Sequence, residues 1–369
     1  MKNPLIELEK FGQSVWLDNI SRGIIKKGEL ERLVKEDGLK GVTSNPSIFQ
    51  KAMAGGHDYD KQITDLLRKN SDLTAGELFE ELAIKDIQNG TDTLYPVYKS
   101  SNGHDGFVSI EVSPELAYNT EGTINEAKRL NSKVNRPNVM IKIPATLEGI
   151  PAIRKMISEG VCINVTLIFS PSSYEDVVDA YMSGLEDRLA KSQSIKDIAS
   201  VASFFISRID TAVDKELEKA GNKDLQGKSA IANAKLVYQT AKKLFGSERF
   251  KKLEKAGAKK QRLLWASTST KNPAYSDILY VEELIGKDTV NTLPPATLEA
   301  YKDHGKPAAR IETDIETAKA HMKKLANLSI DFEKITRKLT DDGVVLFADS
   351  FRDLINAMEK KKNEILQTV

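Results

Sequence analysis

Eight short apolar runs rich in β-branched residues, the helical stretches between them, and a length of 369 residues predict an α/β protein built as a closed (β/α)8 or TIM barrel. An open doubly wound sheet does not call for eight such units; the barrel does, and it needs about 250 residues. The surplus predicts additional helices before the first strand, between the second and third (46–106), between the sixth and seventh (207–262), and in a C-terminal helical extension over about 297–369. No Pro-, Gly- or Ser-rich linker divides the chain and no repeat is visible, so one domain is expected over 1–369.

The strands follow in order. VWLDN at 15–19 is apolar until it meets Asp18, and GVTSN at 41–45 ends in three small polar residues, Thr43, Ser44 and Asn45. FVSIEV at 107–112 brings Glu111 to its end. In VMIKI at 139–143, strand alternation puts Lys142 on one face with Met140 while Val139, Ile141 and Ile143 take the other. CINVTLIF at 162–169 carries Asn164 and Thr166, and VASFFI at 201–206 carries Ser203 and Phe205; LLWAS at 263–267 and TVNTL at 289–293 complete the set. Between them, LFEELAIKDIQNG, AIRKMISEG, YEDVVDAYMSGLEDRLAK and IANAKLVYQTAKKLFG place apolar residues at three- and four-residue spacing, the helix period.

Composition excludes several function classes. Fifty-four basic residues against 53 acidic ones leave a net charge of +1, so no global field draws the chain to nucleic acid or to an anionic membrane. The lysine-rich stretches at 251–262 and 359–362 are interleaved with glutamate and lack an aromatic platform, and read as solvated helix faces. No run approaches the roughly 20 apolar residues of a membrane-spanning helix, and MKNPLIELEKFGQSVW has no unbroken apolar core of a secretory signal. Cys162 is the one cysteine, which removes any disulfide framework and fits a reducing cytoplasm.

Three motifs fail on context. GNKDLQGKS at 221–229 resembles a phosphate-binding P-loop, but it has five residues between its glycines where that loop has four, and it follows a helical stretch; it reads as a polar turn opening the next helix. No GxGxxG occurs. His57, His104, His304 and His321 are scattered without ligand spacing, so surface positions and no metal site are expected. The sequon at Asn164–Thr166 lies inside an apolar strand, where modification is not expected.

Lys142 carries the chemistry. A lysine on a strand covered on both faces has little water, so it must pair with a carboxylate or give up its proton. The neutral amine can attack a carbonyl and form a Schiff base, which stabilises a neighbouring carbanion as an enamine; a buried ion pair is the alternative that this strand alone leaves open. Barrel active sites gather residues from the C-terminal ends of several strands. There Asp18 and Glu111 could move protons, Asn45 and Asn164 could hold sugar hydroxyls, and Arg208 with Lys271 could bind phosphate. Taken singly, each could also be a cap or turn residue; together they imply sugar-phosphate chemistry without metal or organic cofactor.

These residues sit in segments that resemble the transaldolases, the Schiff-base enzymes of the pentose phosphate pathway. The resemblance runs from WLDNISR at 16–22 to STSTKNP at 267–273, is densest in GVTSNPSIF at 41–49 and VMIKIPATLEGI at 139–150, and includes INVTLIFS at 163–170. The N-terminal block and long C-terminus are similar to the longer bacterial branch.

The resemblance implies that Lys142 is the Schiff-base lysine and that Glu111 is an acid/base working with Thr166 through a bound water. It also implies that Asp18 is the acid/base for carbon–carbon cleavage, that Asn45, Asn164 and Ser203 contact the dihydroxyacetone part, and that Arg208 and Lys271 take the distal phosphate. Two departures stand out: ASFFISR, where many relatives have proline and glycine around the phenylalanine, and Lys271, where many have arginine. Aldolase relatives place a tyrosine at the position of Phe205. The resemblance therefore implies transfer of dihydroxyacetone from sedoheptulose 7-phosphate to glyceraldehyde 3-phosphate, by a monomer or homodimer whose partners are small sugar phosphates. A fructose 6-phosphate aldolase-type lyase and a non-catalytic sugar-phosphate-binding barrel are the alternatives.

Overall fold

A computed structural model describes residues 3–367. Its eight parallel strands pair in sequence order and close on themselves: β1 (Gln13–Leu17), β2 (Gly41–Val42), β3 (Phe107–Glu111), β4 (Val139–Pro144), β5 (Ile163–Ile168), β6 (Ser200–Phe205), β7 (Arg262–Ala266) and β8 (Thr289–Leu293). β8 returns to β1 with Gln13 opposite Thr289 and Leu17 opposite Leu293. Every residue of β4, β5 and β6 is buried, as expected of strands with barrel core on one side and helices on the other.

Two strands differ from the sequence expectation. β1 starts earlier and stops before Asp18, and β2 shrinks to two residues, leaving Thr43, Ser44 and Asn45 beyond it. Pro46 explains the second difference: it opens the helix Pro46–Ala54, and Asn45 is held extended as that helix's N-cap, its side chain accepting from Ile48 N.

The extra helices lie in the expected places. Pro46–Ala54, Asp60–Lys69 and Ala75–Ser100 fill the connection from β2 to β3, and Ser207–Lys219, Ser229–Phe245 and Glu248–Lys255 that from β6 to β7. After β8 come Pro295–His304, Ile315–Asn327 and the 35-residue helix Phe332–Leu366.

This last helix crosses the C-terminal mouth of the barrel. At Gly343 it passes close against β5: a Cβ there would lie 2.7 Å from Leu167 Cδ2. Leu167 itself sits at φ +59° where the β5–β6 register slips, a left-handed conformation costly for a leucine, and its carbonyl accepts from Thr340 of the helix. Farther along, Asp341 accepts from Tyr118, Ser350 bonds Ser47, and Phe351 meets Phe79 edge-on. Lys361, expected on a solvated face, instead pairs with Asp60 and donates to Gly56 O, fastening the helix to the segment after β2.

One histidine corrects the sequence reading. His57, His104 and His304 are exposed, but His321 is buried with Nε2 2.8 Å from Ser229 Oγ, because its helix Ile315–Asn327 packs against Ser229–Phe245. GNKDLQGKS does lead into that second helix, which starts at Ser229. Asn164 and Thr166 are fully buried, out of reach of any glycosylating enzyme. Among the described residues no helix is long and apolar enough to cross a membrane.

Candidate active site

At the C-terminal end of the barrel, under the last helix, a cavity of about 140 Å³ gathers eight of the ten candidate residues: Asp18, Asn45, Lys142, Thr166, Ser203, Phe205, Arg208 and Lys271. Glu111 and Asn164 adjoin it through their partners. The strand register accounts for this: Glu111 of β3 lies opposite Lys142 of β4, and Lys142 opposite Asn164 of β5, so three polar side chains point inward at one level.

Lys142 is 5% exposed. Its Nζ donates to Ser44 O at 3.2 Å and lies 3.3 Å from Glu111 Oε2, so the ion pair left open by the sequence is present in this state. Burial pushes the Glu111 carboxyl up from the ordinary glutamate range; the Lys142 ammonium offsets part of the rise and the Asp18 charge adds to it. Burial likewise raises Asp18, against the pull of Lys142 and of a hydrogen bond from Thr43 Oγ1 at 2.7 Å. Two carboxyl groups with raised pKa in electrostatic contact with one amine suit proton transfer.

The remaining polar groups form a connected floor. Ser203 Oγ donates to Asn164 Oδ1 at 2.7 Å, and Asn164 Nδ2 donates to Ser109 Oγ at 3.0 Å, which fixes the amide orientation. Asn45 spends its side-chain oxygen on the helix cap, leaving its NH2 for a ligand. Thr166 Oγ1 is buried without a hydrogen-bond partner among the described residues, which marks a place for a polar ligand or water. Arg208 and Lys271 line the same cavity and neither forms an ion pair among the described residues; Lys271 Nζ bonds Ser269 Oγ at 2.8 Å. Burial lowers the pKa of both, and the Arg208 and Lys51 charges lower Lys271 further, so the pair is an unneutralised positive pocket. Phe205 packs one ring on Phe169 at 5.2 Å and carries the Arg208 guanidinium 5.4 Å from its centroid.

Sequence reasoning gave no site role to four residues that take part. Thr43, whose hydroxyl proton goes to Asp18, must accept from Thr292 at 2.7 Å, so two threonines hold one carboxylate. Ser109 carries the Asn164 amide. Phe347 of the last helix lines the cavity and places its ring 5.5 Å from Lys142 Nζ. Inner-face alternation in GVTSN, FVSIEV and TVNTL could have found the first two groups; Phe347 had no local signal. Among the described residues no group of three or more His, Cys, Asp or Glu could hold a metal ion.

A family model described as Transaldolase/Fructose-6-phosphate aldolase matches residues 15–358. Full-length relatives agree: the chain is 47% identical to "Transaldolase" of Trichodesmium erythraeum, covering 98% of each chain. It is 46% identical to "Transaldolase 2" of Nostoc punctiforme over 97% of each, and 47% identical to "Transaldolase" of Parafrankia sp. over 98% of each. With its barrel, its buried lysine and this similarity from end to end, the chain belongs to the transaldolase/fructose-6-phosphate aldolase family.

Proposed function

We propose that this chain is a transaldolase, moving a dihydroxyacetone unit from sedoheptulose 7-phosphate to glyceraldehyde 3-phosphate and giving erythrose 4-phosphate and fructose 6-phosphate. The observation that carries the reading is Lys142, a buried amine paired with Glu111, sharing a cavity with Asp18 that also holds two cations without an acidic partner among the described residues. Lys142 passes a proton to Glu111, the neutral amine attacks the ketose C2, Glu111 gives that proton to the departing hydroxyl through a water held with Thr166, and an iminium forms with loss of water. Asp18 then takes the C4 hydroxyl proton, C3–C4 breaks, and its electron pair moves to the iminium to leave an enamine and the free aldose. Attack of the enamine on the acceptor aldehyde, return of the proton from Asp18, and hydrolysis complete the transfer.

Asn45, Asn164 and Ser203 hold the hydroxyls of the three-carbon unit, while Arg208 and Lys271 take the distal phosphate. Neither metal nor cofactor enters. The buried lone thiol of Cys162 suits a cytoplasmic enzyme, as a monomer or homodimer. Borohydride reduction with fructose 6-phosphate, followed by peptide mapping, tests the reading: the three-carbon adduct belongs on Lys142, and Lys142→Ala abolishes label and activity together. An adduct on another lysine, or none, overturns it.

A further inference from the structure

The two cations assigned to phosphate repel each other, and the fold must hold them together when no phosphate is bound. Arg208 stands in the first turn of the helix Ser207–Lys219; Lys271 is on the irregular segment after β7. Two carboxylates on the same helix, one turn apart, connect these elements. Asp210 Oδ2 accepts from the Tyr280 hydroxyl at 2.8 Å and its Oδ1 from Ala230 N at 2.7 Å. Asp214 Oδ2 accepts from the Tyr275 hydroxyl at 2.8 Å and its Oδ1 from Gly227 N at 3.0 Å. All four oxygens are engaged, two by tyrosines downstream of Lys271 and two by the backbone around 227–230.

That backbone spans the end of GNKDLQGKS and the residue after it; the stretch lacks the spacing of a P-loop but gains a role here. Gly227 adopts φ +70°, and a Cβ on it would lie 2.7 Å from Tyr275 Cζ, so the glycine lets the tyrosine ring settle against the turn.

We propose that Asp210 and Asp214 are positioning residues for the phosphate group, Asp214 gripping Tyr275 in the irregular segment that carries Lys271 and Asp210 gripping Tyr280 in the short helix Leu279–Glu283 that ends it, so that Lys271 and Arg208 converge on the cavity. The carboxylates do not touch the phosphate; they act through the two tyrosines. This rests on the reading of Arg208 and Lys271 as phosphate ligands, and deepens it by naming what sets their spacing.

Tyr275→Phe removes one hydroxyl and keeps the ring, so it weakens the clamp with little risk to the fold. The measurements are kcat and KM with fructose 6-phosphate as donor and either erythrose 4-phosphate or unphosphorylated erythrose as acceptor, together with inhibition by inorganic phosphate. We expect KM for erythrose 4-phosphate and the inhibition constant of phosphate to rise about 5- to 10-fold, a part of the roughly 10- to 100-fold that one hydrogen bond to a charged group is worth because the loss reaches the phosphate through Lys271, with erythrose affected less than about twofold. Asp214→Asn, which retains an acceptor for Tyr275, should fall between wild type and Asp214→Ala. Equal effects on the two acceptors in Tyr275→Phe, or none on either, overturn the clamp. If wild type itself fails to distinguish the acceptors, the phosphate reading of Arg208 and Lys271 fails first and takes the clamp with it.

Discussion

The amine of Lys142 lies 5.5 Å from the centre of the Phe347 ring, which reaches it from the helix that closes the chain. Phe347 is 5% exposed and forms a wall of the cavity. A phenyl face over the nitrogen excludes water and offers its negative quadrupole to the positive iminium, and both effects favour the imine over its hydrolysis. Phe347→Leu, which keeps an apolar cover without the π face, should slow transfer about 3- to 10-fold, in line with a cation–π contribution of about 1 kcal/mol. Single-turnover borohydride trapping should show the loss in imine formation. Unchanged trapping would reduce Phe347 to ordinary packing.

In the proposed mechanism Asp18 is ionised to accept the C4 hydroxyl proton, and burial holds its pKa above the usual aspartate range. The acid limb of kcat should therefore lie above about pH 4. Thr43→Val removes a hydrogen bond that stabilises the charged carboxylate, so the limb should move to higher pH in that variant. A limb that stays in place, or moves down, would show that another group controls it. Glu111→Gln should lower turnover by about 10²- to 10⁴-fold, the range for a positioned acid or base; because it also breaks the buried ion pair with Lys142, the melt should fall as well, and the rate is read on protein that the melt shows to be folded.

How much of the fold and site is legible in the sequence depends on how local each feature is. Apolar β-branched runs mark strands wherever they occur, so all eight are readable, and the two-residue period of VMIKI by itself sets Lys142 on the face opposite Val139, Ile141 and Ile143. Ends of strands are less readable because a proline can cut pairing short, as Pro46 does after β2. Phe347 and the Asp210–Tyr280 and Asp214–Tyr275 pairs escape a sequence reading because their partners come from distant segments. A phenylalanine in the middle of an amphipathic helix looks like core until the fold lays that helix across the barrel mouth.

Lys271 gives a point charge where an arginine would give a planar fork. Lys271→Ala and Arg208→Ala should each raise KM for phosphorylated substrates by about tenfold or more with a smaller change in kcat, as remote contacts do when they bind ground and transition states alike. Lys271→Arg should lower KM for the same substrates. Steady-state kinetics with erythrose 4-phosphate and erythrose decide the matter, and equal losses on both acceptors would place the phosphate elsewhere.

Asp210 links stability to pH. Burial, with a smaller push from Asp214, raises its pKa to about 6 from 3.8. An acid whose folded pKa is raised favours the folded state while protonated; that contribution is complete below about pH 4 and is lost as pH rises through about 6. The shift of roughly two pKa units corresponds to about 3 kcal/mol at most. Asp210→Asn cannot ionise, so the difference in melting temperature, wild type minus variant, should fall between about pH 4 and pH 7 and level off above. A difference flat across that range would mean that Asp210 keeps an ordinary pKa.

Under the proposed mechanism Phe205 is the residue expected to separate transfer from cleavage. It ends β6 in the wall of the cavity, with Phe169 against one part of its ring and the Arg208 guanidinium near its face. A phenyl group cannot donate a proton, so the enamine of the proposed mechanism would have no acid at this position and should persist until an aldehyde arrives. Phe205→Tyr would add a hydroxyl at the cavity wall, where it can protonate the enamine and let hydrolysis release free dihydroxyacetone. With fructose 6-phosphate and no acceptor, the variant should release dihydroxyacetone faster than wild type, and its transfer to erythrose 4-phosphate should fall in step because both products draw on the same enamine. Packing alone makes a different demand: a hydroxyl crowded against Phe169 would lower stability and both rates together. If wild type without acceptor already releases dihydroxyacetone as fast as it transfers it, Phe205 does not guard the enamine and the chain is an aldolase.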